Sequence, residues 1–131
     1  MAVRLQRSSL PDTQSQPARE TLSGAVLRAA ELLDIPQAEL AAILGISAAT
    51  VSRMAAGRYL LQPDRKEWQL AALLVRLFRS LDSLTGGRDE LSRAWLRSQN
   101  RAFNAAPAEL LREIESFVKV VHYLDASRAV L

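Results

Sequence analysis

The sequence predicts an all-α fold: a helix-turn-helix module joined by a long helix to a small C-terminal helical unit. Three observations lead there. Apolar residues recur three and four apart in every sustained apolar segment, the period of one helix face. No segment shows the apolar-polar alternation or the Asn-Gly turns that a sheet needs. The stretch Gln37-Ala-Glu-Leu-Ala-Ala-Ile-Leu-Gly-Ile-Ser-Ala-Ala-Thr-Val-Ser-Arg-Met54 carries two short helical faces separated by a glycine and a capping serine.

Taken in order, residues 1–20 are rich in Ser, Gln, Pro and Arg, with Pro11 and Pro17 and no sustained period, and read as a flexible N-terminal arm. No continuous apolar core follows its arginines, so a secretory signal is not expected. From Thr21 to Leu33, the positions Leu22, Val26, Ala29, Ala30 and Leu33 mark an amphipathic helix, after which Asp34 and Pro36 are expected to open the next. Leu40, Ala41 and Leu44 form the inner face of that helix, and Gly45 ends it where the chain must turn left-handed. Ile46 plugs the turn, Ser47 caps the second helix, and Val51 and Met54 return to the core. A long helix follows from about Asp64 to Leu84. Its face of Trp68, Ala71, Ala72, Val75, Phe78 and Leu81 is widened by Leu70, Leu73, Leu74, Leu77 and Leu84. That excess suits a central core helix or a self-association surface.

Thr85-Gly86-Gly87 is the clearest break, dividing a module over 21–84 from a unit over 85–131. In the second unit Asp89 to Gln99 is expected to be helical through Leu91, Ala94, Trp95 and Leu96. Pro107 is expected to begin the last helix, with a stripe of Leu110, Leu111, Ile114, Phe117, Val118, Val121 and Leu124.

With 131 residues, 49% of them hydrophobic, the chain can bury one good core or two small helical subdomains. It has no cysteine, which excludes disulfides and thiolate metal sites and suits the cytoplasm. No apolar run approaches the length of a membrane span. The net charge is only +3, spread evenly over arm, module and C-terminal unit, so any affinity for nucleic acid must come from local placement of arginines. That placement exists: between Glu39 and Asp64 there is no acidic residue, while Arg53 and Arg58 remain. Gln37, Ser47, Ala48, Ala49, Thr50, Ser52, Arg53 and Arg58 are therefore the candidate DNA-contacting residues, with Arg53 foremost. A homodimer is expected, because one such module covers too little DNA for specific affinity.

Catalysis is not indicated. His122 is the sole histidine and lacks metal-ligating partners, while Glu109, Glu113 and Glu115 alternate with Arg112 and Lys119 as on a solvated helix face. There is no Gly-rich phosphate loop, so no cofactor is expected. Trp68 and Trp95 read as core anchors.

The segment from Gln37 to Gly57 resembles the helix-turn-helix of the Cro/phage-repressor class, often called Xre-like. The segment Ala94-Trp-Leu-Arg-Ser-Gln-Asn-Arg-Ala-Phe-Asn-Ala-Ala-Pro-Ala-Glu-Leu-Leu111 is similar to the C-terminal toxin-binding domain of Xre/MbcA/ParS-type antitoxins, with Trp95, Leu96, Asn100, Phe103, Pro107, Leu110 and Leu111 at the motif positions. It departs from the family in having Asn104-Ala-Ala before Pro107 and Glu115-Ser-Phe before Val118, where glycines are usual.

The resemblance implies a cytoplasmic type II toxin-antitoxin system. Its antitoxin blocks a RES-domain toxin that consumes NAD, and its helix-turn-helix binds operator DNA to repress the shared operon. On that reading Trp95, Arg97, Asn100, Arg101, Arg112, His122, Arg128, Val130 and Leu131 are the candidate toxin-binding residues, with the apolar C-terminus expected at the toxin's active-site entrance. The alternative is a stand-alone Xre-family regulator whose C-terminal helices only dimerise. A third reading, a helix-turn-helix that has become a protein-binding scaffold, draws on the few base-edge donors of Ala48-Ala49.

Overall fold

The computed structural model describes residues 11–130, with side chains described for 15–129. Six α-helices follow in order: α1 (Pro11–Leu32), α2 (Gln37–Leu44), α3 (Ala48–Ala55), α4 (Lys66–Leu84), α5 (Asp89–Arg97) and α6 (Ile114–Val130), with a 3-10 turn at Pro107–Leu110 before the last. Among the described residues there is no strand, only an isolated antiparallel bridge between Asn100 and Ala105. No single described helix is long and apolar enough to cross a membrane.

α4 is the axis. It packs against α1, α2, α5 and α6, burying Leu70, Ala71, Leu74, Val75, Leu77 and Leu81, while Gln69, Ala72, Arg76, Arg79 and Ser83 form one narrow exposed stripe. The inner residues of α1–α3, including Val26, Leu33, Leu40, Leu44, Val51 and Met54, join Leu96, Leu111, Phe117, Val121 and Leu124 of the C-terminal half in one hydrophobic cluster. The leucines beyond a one-faced stripe are thus mostly consumed by the core.

α2 and α3 meet at a bend of 112°, within the range of a helix-turn-helix. Gly45 adopts φ 71° after α2, and the Ile46 N–H returns to the Ala41 carbonyl at 3.1 Å, as the residue after a left-handed cap does. Ser47 caps α3, its side chain accepting from the Thr50 N–H at 3.0 Å.

Four expectations are corrected. The flexible arm expected over 1–20 is helical from Pro11 onward, while residues 1–10 lie outside the described residues. Pro17 lies inside the helix, and Arg19 anchors it by donating from Nε to the Leu61 carbonyl (2.9 Å) and from Nη2 to that of Leu60 (3.3 Å). Asp34 does not open α2; it takes φ 58° and closes α1, with the Ile35 N–H on the Ala30 carbonyl at 2.8 Å. Short polar side chains tolerate this conformation best after glycine. Pro107 starts a 3-10 turn rather than the last helix, which begins only at Ile114. Phe117, Val121 and Leu124 of the expected stripe are buried, joined by Val120, while Ile114, expected on the same stripe, is 46% exposed.

Gly45→Ala tests the turn. The added Cβ would meet nothing closer than Leu70 Cδ1 at 4.0 Å, so its cost is conformational, about 1–2 kcal/mol for a side chain held left-handed. Urea unfolding should show a lowered midpoint at unchanged slope.

Candidate functional site

The exposed edge of α3 carries a hydrogen-bonded ladder. Ser47 Oγ and Thr50 Oγ1 lie 2.8 Å apart, and Arg53 donates from Nη2 to Thr50 Oγ1 at 3.0 Å. The i, i+3 spacing puts these three side chains on one line, and the ladder directs the Arg53 guanidinium back toward the N-terminal end of α3. Ala48, Ala49 and Ser52 are exposed beside it, as is Arg58 in the following turn. Gln37 is exposed at the start of α2 but borders a separate hollow with Arg28 and Ala55.

Ser47, Thr50 and Arg53 line a groove of about 690 Å³ whose other walls carry Arg65 and Lys66 from the start of α4 and Arg112 before α6. Its floor includes Tyr59 and Glu67. The Glu67 carboxylate, 4% exposed, accepts from Tyr59 Oη at 2.5 Å and from the Gln62 N–H at 2.9 Å. Ser23 of α1 accepts from the Leu61 N–H at 3.0 Å. Residues 59–62 are thereby held between α1 and α4, and the buried acid is satisfied. Burial, the hydrogen bond to Glu67 and the negative charge of that carboxylate push the Tyr59 hydroxyl up to about 12, against a smaller opposing pull from Arg65 and Arg19.

At the other side of the C-terminal half is an aromatic cluster. Trp95 stacks on Tyr123 with centroids 6.5 Å apart and planes at 20°, and Phe103 meets Tyr123 edge-on at 5.1 Å and Trp95 at 6.5 Å. Asn100 presents Phe103: its side chain accepts from the Ala102 N–H at 2.9 Å, and its carbonyl accepts from the N–H groups of Phe103 and Asn104. Tyr123 is 41% exposed and Leu91, one turn before Trp95, is 39% exposed. Arg101 and His122 are also exposed.

The toxin-binding set predicted from the sequence is therefore divided. Trp95 and Asn100 build the aromatic cluster, while Arg101 and His122 are exposed next to Asn100 and Tyr123 in the chain. Arg97 instead clamps α5 to α2 through Glu39, both contacts at 3.0 Å, and Arg93 donates to the Leu32 carbonyl at 2.9 Å. Arg128 donates to Ser80 Oγ at 3.1 Å, and Ser80 donates to Asp125 at 2.7 Å. That bond, with the salt bridge from Arg76, holds the Asp125 carboxyl below its ordinary value. Arg112 lies on the groove beside α3. Val130 ends α6, its side chain and Leu131 lying outside the described residues. Sequence reasoning left Arg65, Lys66, Phe103 and Tyr123 unassigned. The Arg-Lys pair at a helix start and the Phe in the motif were visible; nothing in the sequence joined Tyr123 to them.

A helix-turn-helix with an acid-free cap, fused through one core to a helical domain with an exposed aromatic patch, defines a two-part, all-helical class of protein. Residues 13–76 match the antitoxin Xre-like helix-turn-helix domain, and residues 80–129 match the antitoxin Xre/MbcA/ParS C-terminal toxin-binding domain. The chain belongs to this family of antitoxins, and its two matched segments leave only residues 77–79 between them. No curated protein shows significant similarity to the chain.

The raised Tyr59 hydroxyl predicts a pH dependence. A group whose pKa is raised on folding contributes stability that is whole below its unfolded value near 10 and is lost as pH rises toward 12. Absorbance titration should show a tyrosine step near pH 12 that Tyr59→Phe removes.

Proposed function

We propose that this chain is the antitoxin of a type II toxin-antitoxin system, a non-enzymatic, cytoplasmic protein that binds and blocks a RES-domain NAD-consuming toxin and represses its own operon. The observation that carries this reading is the union, in one chain and one core, of an Xre-like helix-turn-helix with an Xre/MbcA/ParS toxin-binding domain. α3 is the reading helix. Its N-terminal end enters the major groove, where Arg53, steadied by Thr50, reaches a base edge or phosphate and Ser47, Ala48, Ala49 and Ser52 line the approach. Gln37 and Arg58 contact the backbone on either side.

The toxin seats on the aromatic patch of Trp95, Phe103 and Tyr123, with Arg101 and His122 at its rim. Partly exposed aromatics on a rigid helical frame are the residue types that dominate protein interfaces. The C-terminal residues Val130 and Leu131 complete the contact. Two copies bind a two-fold operator. They meet along the apolar groove between α1 and α4, where Leu22, Ala25, Trp68, Ala72 and Val75 line about 660 Å³.

Two substitutions separate the halves of this reading. Arg53→Ala, at an exposed position, should leave folding intact and cost about 1–3 kcal/mol in operator binding. An electrophoretic shift unchanged by Arg53→Ala together with Thr50→Ala would sink the DNA assignment. Tyr123→Ala should weaken toxin binding by about 2 kcal/mol, measured by co-purification and by growth of cells expressing both proteins. Full protection by that variant and by a truncation before Ser127 would move the toxin contact elsewhere.

A further inference from the structure

The groove beside α3 is walled on one side by the C-terminal domain. Leu111, Arg112 and Ile114 share it with Ser47, Thr50 and Arg53, although the first three belong to the segment matching the toxin-binding domain. Arg112 is exposed, as are Arg65 and Lys66 across the groove, and none of the three forms an ion pair among the described residues. The carboxylate on the wall, Glu67, is buried and already accepts two hydrogen bonds. Arg112 also borders a smaller hollow with Glu39, Arg97 and Glu109, but Glu39 is taken by both nitrogens of the Arg97 fork. Four cations line this cleft, whose one lining carboxylate is already engaged, while Glu109 lies in the other hollow; they repel one another, and an anion between them relieves that repulsion.

We propose that Arg112 holds a phosphate of the same duplex that α3 reads, so that DNA is gripped by both domains. The inference rests on the DNA-binding reading above. Continuity decides the occupant: the groove opens directly onto the N-terminal end of α3, and a duplex engaged there runs its sugar-phosphate strands along the walls beside the helix. Contacts of this kind position the protein without reading sequence. Arg112 therefore adds affinity and register, while discrimination between operators stays with α3.

The test is the salt dependence of binding. The full chain is titrated by fluorescence anisotropy onto a duplex from its own promoter and onto a scrambled duplex at several salt concentrations. Arg112→Ala should weaken both complexes alike and reduce the slope of log K against log salt by about one per protomer. Arg112→Lys should keep the slope, and Lys119→Ala, exposed on the same domain but outside the groove, should leave it unchanged. Thermal unfolding checks that each variant is folded. An Arg112→Ala slope equal to wild type, alone or with loss of toxin co-purification, overturns the proposal and hands Arg112 to the toxin while leaving the α3 reading intact. Wild-type protein that binds neither duplex overturns both.

Discussion

The burial of α4 by helices from both halves of the chain is the constraint on which the other features depend. A 19-residue helix that packs α1 and α2 as well as α5 and α6 leaves only a narrow polar stripe. Neither half then has a complete core of its own, since Leu74, Leu77 and Leu81 are shared. Burying each such leucine contributes on the order of 1.5–3 kcal/mol. Separating the two family domains would expose this shared surface, so the helix-turn-helix and the toxin-binding domain form one body.

Polar contacts then determine which cations remain available to a partner. Arg19, Arg93 and Arg97 are spent on backbone carbonyls or Glu39, closing α1 onto the connector and α5 onto the first two helices. Arg76 and Arg128 are spent on the Ser80–Asp125 cluster, which ties the end of α6 to α4. Exposed pairs of this kind contribute little each. Their larger effect is on direction, because a guanidinium with internal partners cannot serve as a free ligand without losing them. Around the groove the fold leaves Arg53, held only by Thr50, and Arg65, Lys66 and Arg112, which form no ion pair among the described residues.

The same economy separates the two surfaces. The cationic groove lies where α3 begins, and the aromatic cluster lies where α5, the Asn100 loop and α6 converge. One suits a polyanion and the other an apolar partner surface. Both are built on the same α4 scaffold, and the C-terminal half contributes to each.

The sequence by itself determined the local events. Gly45, Ser47, Val51 and Met54 are each constrained by neighbours within four or five residues, by a left-handed backbone, a side-chain cap or a helical face, and so the α2–α3 turn was legible in detail. So were the helical class, the extent of α4 and α5, and the family of each half, since these too are set by local order. What only the tertiary structure decided depends on residues far apart in the chain. Arg19 reaches across 42 positions to hold the Leu61 carbonyl and stabilises a helix through a segment that reads as a loose arm. Arg97 pairs with Glu39 and Arg128 with Ser80, internal partners for two of the predicted toxin-binding cations that no local pattern announces. Tyr123 meets Trp95 and Phe103 across long stretches of chain, a contact that exists only once the C-terminal half has folded. A helical period shows which side of a segment is apolar. The partner that side meets is set by packing, and packing is a property of the whole chain.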